Sequence, residues 1–315
     1  MKFIVERNQE YLEKLKLILN KNYHFTVNEI KPASRGVDGE TWIIFTTSEK
    51  VFVKIDYSNN NDKFLESLKV IELLNKKGLT FINEIIKTKR NKSYIKFNNR
   101  TLVVFKYIDG KINYNYPYLK LMKLLIEIYK LNITNKVPKE DFKIKQLIKS
   151  VNKNILKAKE NLKLNELLNN YQENINEYIS CLQKYYKKIN KKALKVITHG
   201  DACVNVMVGE QISLIDWDGA LIAPIERDCW FFMDYKHKIK NINNLLKNNG
   251  INYEISNDML AYYAYKSALI YLNDDIEKYL SLENEDILSD IKDIFEGWVF
   301  KKISATYKRK IWKSY

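Results

Sequence analysis

Three carboxylates and one side-chain amide crowd into a short stretch near the middle of the chain: His199-Gly200-Asp201, then Asn205, then Ile215-Asp216-Trp217-Asp218. Between them, Val206 to Val208 and Ile212 to Ile215 flank Gly209-Glu210, a Gly-x turn of the kind that closes a two-residue hairpin. Such side chains supply oxygen ligands for a hard cation, and a carboxylate held beside a hydroxyl can take its proton. Upstream, Lys54 follows three apolar residues in VFVKI, and Ser34-Arg35-Gly36-Val37-Asp38-Gly39 sets two glycines before a strand. Glycines there let backbone amides approach a triphosphate closely. These are the parts that phosphoryl transfer requires, since it rests on positioning and charge neutralisation more than on covalent chemistry. Other chemistries find less. The three histidines (His24, His199, His237) are too scattered for a local metal motif, and Cys181, Cys203 and Cys229 have no paired spacing for a disulfide framework or a zinc knuckle.

The order His-Gly-Asp, Asn, hairpin, Ile-Asp-aromatic follows the plan of the kinase catalytic loop and its metal-binding aspartate. At these residues the chain resembles the aminoglycoside phosphotransferase and choline kinase family. That family continues with Pro and Asp, places filled by Pro224 and Asp228 in IDWDGALIAPIERDCWFF. The runs DWDGALIAPIERD, LVVFKYIDGK and LAYYAYKSALIYL look most like its spectinomycin phosphotransferase branch. The resemblance implies an α+β, two-lobed protein-kinase-like fold, with a small β-rich lobe over residues 1–108 and a larger helical lobe over 109–315. It implies ATP or GTP and Mg2+ as cofactors. Asp201 is then the catalytic carboxylate, Asp216 the residue bridging magnesium to the β- and γ-phosphates, and Asn205 the second metal position. Asp218 assists metal or substrate, Asp228 braces the catalytic loop, and His199 packs and hydrogen-bonds. Lys54 matches the lysine on the α- and β-phosphates, while Ser34, Gly36 and Gly39 belong to the phosphate loop. Phe105, Lys106, Tyr107 and Ile108 form the hinge whose backbone pairs with adenine.

Two points stay open on the residues themselves. The kinase pattern sets four residues between the catalytic Asp and the Asn, whereas Ala202-Cys203-Val204 supplies three. A shortened loop keeps Asn205 as the ligand, and a gapless reading puts Val206 there, which cannot coordinate magnesium. For the partner of Lys54, Glu66 on the following helix is the choice, and Glu72, nearly two turns on, is the alternative.

The elements that must carry these residues can be read from period and turn chemistry. TWIIFTT and KVFVKI, joined by Ser48-Glu49-Lys50, predict a hairpin, as do YIKFNN and RTLVVFKYI around Asn98-Asn99. Apolar residues at Phe64, Leu65, Leu68, Ile71 and Leu74 predict a helix from Lys63 to Lys77, closed by Gly78. After Asp109-Gly110 the pattern turns helical: Tyr118 to Leu131, a lysine-rich stretch from Asp141 to Lys192, and, past the central strands, Asp258 to Leu272 and Asp286 to Trp312.

Composition bounds the partners. With 315 residues, 46% hydrophobic and 13% aromatic, the chain is long and apolar enough for a sizeable core. No apolar run reaches transmembrane length and the start is charged too early for a signal peptide, so a soluble, cytoplasmic monomer is expected. The net charge of +15 arises from lysine dispersed along the whole chain, so neither nucleic acid nor membrane is expected as a partner. Between Asp274 and Glu296, however, nine acids face two lysines. That segment points to a cationic small-molecule substrate, with Asp274, Asp275, Glu277 and, through cation–π contact, Tyr262 as its candidate partners. A hydroxyl of an aminoglycoside or aminocyclitol antibiotic is the first reading of the acceptor. A metabolic kinase for choline, a sugar or an amino alcohol is the second. A nucleotide-binding pseudokinase, suggested by the short loop, is the third.

Overall fold

Alternation along the strands sets the two faces of the main sheet. Strands β1 (Val27–Pro32), β2 (Gly39–Thr46), β3 (Lys50–Asp56), β4 (Ile95–Phe97) and β5 (Arg100–Lys106) pair antiparallel in the order β1-β2-β3-β5-β4. On β3, Val51, Val53 and Ile55 point to one face, where they pack with Trp42, Ile44 and Val104, with Leu15 and Leu19 of helix α1 (Gln9–Asn22) and with Tyr23 just past its end. Each such buried aliphatic side chain contributes about 1.5–3 kcal/mol. Phe52 and Lys54, one residue out of phase, lie on the opposite face. The computed structural model describes residues 7–33, 39–57, 61–131, 137–190, 192–233 and 236–311.

Two compact units result, and they do not follow a division at residue 108. The first comprises 1–124, 132–138 and 199–221, so the catalytic segment belongs with the main sheet; the second comprises 125–131, 139–198 and 222–315. The first unit adds α2 (Asn61–Lys76), β6 (Lys111–Ile112), the start of α3 (Tyr118–Tyr129), β8 (Val206–Val208) and β9 (Ile212–Leu214), these three strands forming a second sheet in the order β6-β8-β9. The expected hairpins are present. Asn98 and Asn99 both take positive φ (47° and 62°), the geometry of a type I′ turn. The β8–β9 loop has three residues, Gly209 to Gln211, because Val208 pairs with Ile212. Gly209 is required there: an added Cβ would lie 2.0 Å from the Asp109 carbonyl oxygen.

The second unit is built on helices. It contains α4 (Ile144–Ala158), α5 (Leu162–Asn170), α6 (Gln172–Tyr186), α7 (Glu226–Cys229), α8 (Lys236–Asn248), α9 (Asn257–Leu282), α10 (Glu285–Glu296) and α11 (Trp298–Ile311), with β7 (Lys195–Thr198) and β10 (Leu221–Pro224) paired. The lysine-rich stretch is thus three helices, and the tyrosine-rich helix runs ten residues past Leu272 to Leu282. From Met259 to Tyr265 every residue of α9 is buried, which makes it the axis against which α4, α6, α10 and α11 pack. Among the described residues no helix is long and apolar enough to cross a membrane.

One buried carboxylate pins the start of β2, next to Gly39. Glu40, 2% exposed, accepts from Arg7 Nε (2.7 Å), Tyr11 Oη (2.6 Å), Tyr57 Oη (2.5 Å) and Trp42 Nε1 (3.2 Å). Burial pushes its pKa up, but the donated hydrogen bonds of Arg7, Tyr11 and Tyr57 outweigh that and hold it below the ordinary glutamate value. Gly39 next to it is packed so closely that a Cβ would meet the Ile55 carbonyl oxygen at 2.2 Å. We expect Glu40→Ala to destabilise the chain by about 2 kcal/mol at pH 7 by leaving its donors unpaired. A depressed carboxylate pKa stabilises above the unfolded value and is lost as pH falls through the folded one. The gap between wild type and variant in thermal melts should therefore shrink from pH 7 toward pH 3, and a gap that does not change with pH would rule this account out.

Candidate active site

A buried imidazole stitches the two acidic motifs together. His199 is fully buried, with Nε2 2.9 Å from the Ile215 carbonyl oxygen and Nδ1 2.9 Å from Asp201 Oδ1. Its ring packs on Trp217 at a centroid distance of 4.5 Å, and Trp217 Nε1 donates to the Leu214 carbonyl. Asn205 holds the other side of the aspartate, its Nδ2 lying 3.0 Å from Asp201 Oδ2. Both carboxylate oxygens of Asp201 are thus oriented by neighbours, while its side chain remains 41% exposed. Gly200, at φ 101°, permits the turn between histidine and aspartate.

The short loop is a single 3-10 turn, Ala202–Val204. It delivers Asn205 to Asp201, and the Asn205 carbonyl accepts from Ile215 N (3.1 Å). Val206 begins β8 opposite Leu214 and is fully buried, so Asn205 is the residue at this turn whose amide meets the Asp201 carboxylate. With Nδ2 on Asp201, its Oδ1 is the atom left for a cation. Tyr116 Oη braces the turn from α3's approach by donating to the Cys203 carbonyl (2.9 Å).

Asp216 occupies the left-handed region, φ 61°, at the exit of β9. Non-glycine residues rarely sit there, aspartate and asparagine being the most tolerant. Its Oδ1 lies 3.0 Å from Lys54 Nζ, and Asp218 Oδ2 lies 2.7 Å from the same ammonium. Burial alone would lower the pKa of Lys54; Asp216 and Asp218 more than reverse it and hold the lysine charged, well above its usual range. The glutamate expected as its partner is elsewhere. Glu66 is exposed, and Glu72 pairs with Lys87. On α2 the residues turned toward Lys54 are Phe64, whose ring centroid is 5.4 Å from Nζ, and Ser67, whose Oγ is 3.3 Å from Asp218 Oδ1.

The remaining candidates divide. Ser34 and Gly36 lie outside the described residues, and Gly39 has the packing role given above. Phe105 is buried in β5, and the Lys106 N–H donates to the Glu84 carbonyl (2.8 Å). Tyr107 and Ile108 line a cavity of about 970 Å³ with Leu79, Ile82 and Ile85; Lys54, Asp201 and Asp216 are not among its walls. In the second unit Tyr262 is fully buried with no partner for its hydroxyl, and Glu277 accepts from Asn154 Nδ2 (2.8 Å). Asp274 and Asp275 follow Tyr262 on α9 by twelve and thirteen residues, roughly 18–20 Å along the axis. Those three do not converge on one small-molecule pocket. Asp228 is buried and accepts from Tyr129 Oη (2.9 Å), while Arg227 binds Thr198, the residue before His199, through its hydroxyl (2.8 Å). Sequence reasoning missed Ser67, Tyr116 and Arg227. For Ser67 the signal was present: a small polar residue on the apolar face of Phe64, Leu68 and Ile71.

The backbone at Asp216 yields a test that needs no turnover. Asp216→Asn and Asp216→Ala both remove the charge; they differ in their tolerance of the left-handed conformation and in the hydrogen bond that an amide oxygen keeps to Lys54. Asp216→Ala should be less stable than Asp216→Asn by about 1 kcal/mol, with Asp216→Gly not worse than Asp216→Asn. Equal midpoints in denaturant for the alanine and asparagine variants would show that the position is not strained.

No protein-family model matches the sequence, and no curated protein matches it. Solved structures do. Spectinomycin phosphotransferase APH(9)-Ia in complex with ADP and spectinomycin is similar at 19% identity and TM-score 0.72, over 93% of this chain and 98% of that one. Choline kinase LicA from Streptococcus pneumoniae is similar at 15% identity and TM-score 0.60, over 93% and 99%. Macrolide 2'-phosphotransferase type I is similar at 12% identity and TM-score 0.58, over 92% and 98%. The chain has the α+β, kinase-like fold of the aminoglycoside phosphotransferases and choline kinase.

Proposed function

We propose that this protein is a nucleotide-dependent small-molecule kinase that phosphorylates a hydroxyl of a cationic aminocyclitol. The observation that carries the reading is that Asp201 with Asn205, and Lys54 with Asp216, stand at hydrogen-bond distance in the first unit and are linked through His199 and the Ile215 carbonyl. Asp201 takes the proton of the acceptor hydroxyl as its oxygen bonds to the γ-phosphorus and the bond from that phosphorus to the β-phosphate oxygen breaks. Lys54 neutralises phosphate oxygens. His199 and Asn205 hold Asp201 in the orientation that this proton transfer requires.

Asp216 and Asn205 Oδ1 are hard oxygen donors of the kind that hold magnesium. Among the described residues no group of three His, Cys, Asp or Glu side chains gathers as a metal cage. A pair of protein oxygens completed by nucleotide phosphates is the usual form of a magnesium site in kinases. A bound magnesium ion neutralises charge on the transferring phosphoryl group.

The acceptor class rests on the likeness to a phosphotransferase solved with ADP and spectinomycin. The likeness to a choline kinase supports a second reading, an amino alcohol as acceptor. ADP release measured against a panel of spectinomycin, other aminocyclitols, choline and neutral sugars separates them. We expect an aminocyclitol to give the highest kcat/KM, and choline or a neutral sugar outperforming every aminocyclitol would end that assignment. With the best acceptor, Asp201→Asn should cut kcat at least about a hundredfold while nucleotide affinity by calorimetry stays within about twofold. An unchanged kcat would place the acceptor-side carboxylate elsewhere.

A further inference from the structure

A buried ammonium needs a counter-charge, and kinases usually supply it from a glutamate on the helix that follows the lysine strand. Helix α2 supplies none to Lys54, since Glu66 faces solvent and Glu72 is bound to Lys87. Two carboxylates from beyond β9 stand in its place. Asp216, the donor fitted to a cation, leaves its side chain 46% exposed, whereas Asp218 makes the shorter contact to Lys54 and is 32% exposed. Asp218 also reaches α2, because its Oδ1 lies 3.3 Å from Ser67 Oγ, a hydroxyl whose single proton is shared with the nearer Phe64 carbonyl (2.7 Å).

We propose that Asp218 is the positioning residue of this site: it holds Lys54 in the role a helix glutamate fills elsewhere, and Ser67 ties that carboxylate to α2. The inference rests on the phosphate-binding role given to Lys54 above. Its consequence is asymmetric. Asp218 keeps Lys54 aimed, which favours transfer, but its own negative charge opposes nucleotide phosphates, which weakens ground-state binding. A residue that merely supports the fold would have no such opposed effects. A metal ligand would instead change the metal requirement.

Calorimetry in excess chelator, with ADP and with adenosine, tests this on the whole chain without turnover. Asp218→Asn should bind ADP about fivefold more tightly, the scale of one carboxylate–phosphate repulsion removed in a wet site, and adenosine unchanged. Its kcat for ATP should fall about tenfold or more, with the metal concentration for half-maximal rate unmoved. Ser67→Ala should shift ADP affinity and kcat in the same directions by smaller factors, and it serves as the test should Asp218→Asn fail to fold. Weaker binding of ADP and adenosine alike, a raised metal requirement, or ADP affinity equal to wild type in both variants would overturn the assignment of Asp218 alone. Wild-type protein that binds neither ADP nor adenosine would overturn the kinase reading, and this inference with it.

Discussion

The charge on Lys54 organises everything around it. Its ammonium is taken almost wholly out of water on the face of the main sheet opposite the apolar core, and a cation there persists only with anions at hydrogen-bond distance. Both anions come from the residues after β9, which forces that segment to turn sharply, and the positive φ of Asp216 is the visible cost. The turn carries Trp217 inward against His199, and His199 in turn faces Asp201. A constraint that begins as electrostatics on a strand ends as the orientation of a carboxylate on a different loop. The Lys54 ion pairs and the Asp201 carboxylate are therefore coupled through packing rather than being separate constructions.

Much of this was legible in the sequence, for identifiable reasons. Hairpins announce themselves through residues that tolerate unusual backbone, as Asn98 and Asn99 do, and through alternation, as in KVFVKI. The order of Asp201, Asn205 and Asp216 is a one-dimensional pattern, and the 3-10 turn over the three residues between Asp201 and Asn205 brings the amide back to the carboxylate. The partner of Lys54 was harder to read. Choosing a glutamate on α2 used residue type and distance along the chain and ignored the phase of the helix, which Phe64, Leu68 and Ile71 set. Glu66 is off that phase and Ser67 is on it.

The acidic segment shows a different limit. Nine acids between Asp274 and Glu296 read as one patch in a string of letters. In three dimensions they are spread over the end of α9, a left-handed cap at Glu283 and the whole of α10. Several have local employment: Glu285 with Lys163, Glu277 with Asn154, and Glu285 and Asp286 at the positive end of a helix dipole. Local charge density in a sequence measures composition, whereas a binding potential depends on convergence.

The contact between Lys54 and Asp218 joins residues 164 positions apart, within a unit whose chain leaves after residue 138 and returns at 199. On a ribosome adding about 5–20 residues per second, the lysine strand emerges roughly ten to thirty seconds before its counter-ions exist. Throughout that interval the main sheet carries a cation with no anion to meet it, and the nascent first unit cannot close. The second unit is interrupted in its turn, its helices α4 to α6 being made before the returning segment and α9 after it. The first unit cannot be completed before about two fifths of the second has been synthesised, and the second is completed only after the whole of the first, so closure of the first unit waits on a long-range contact.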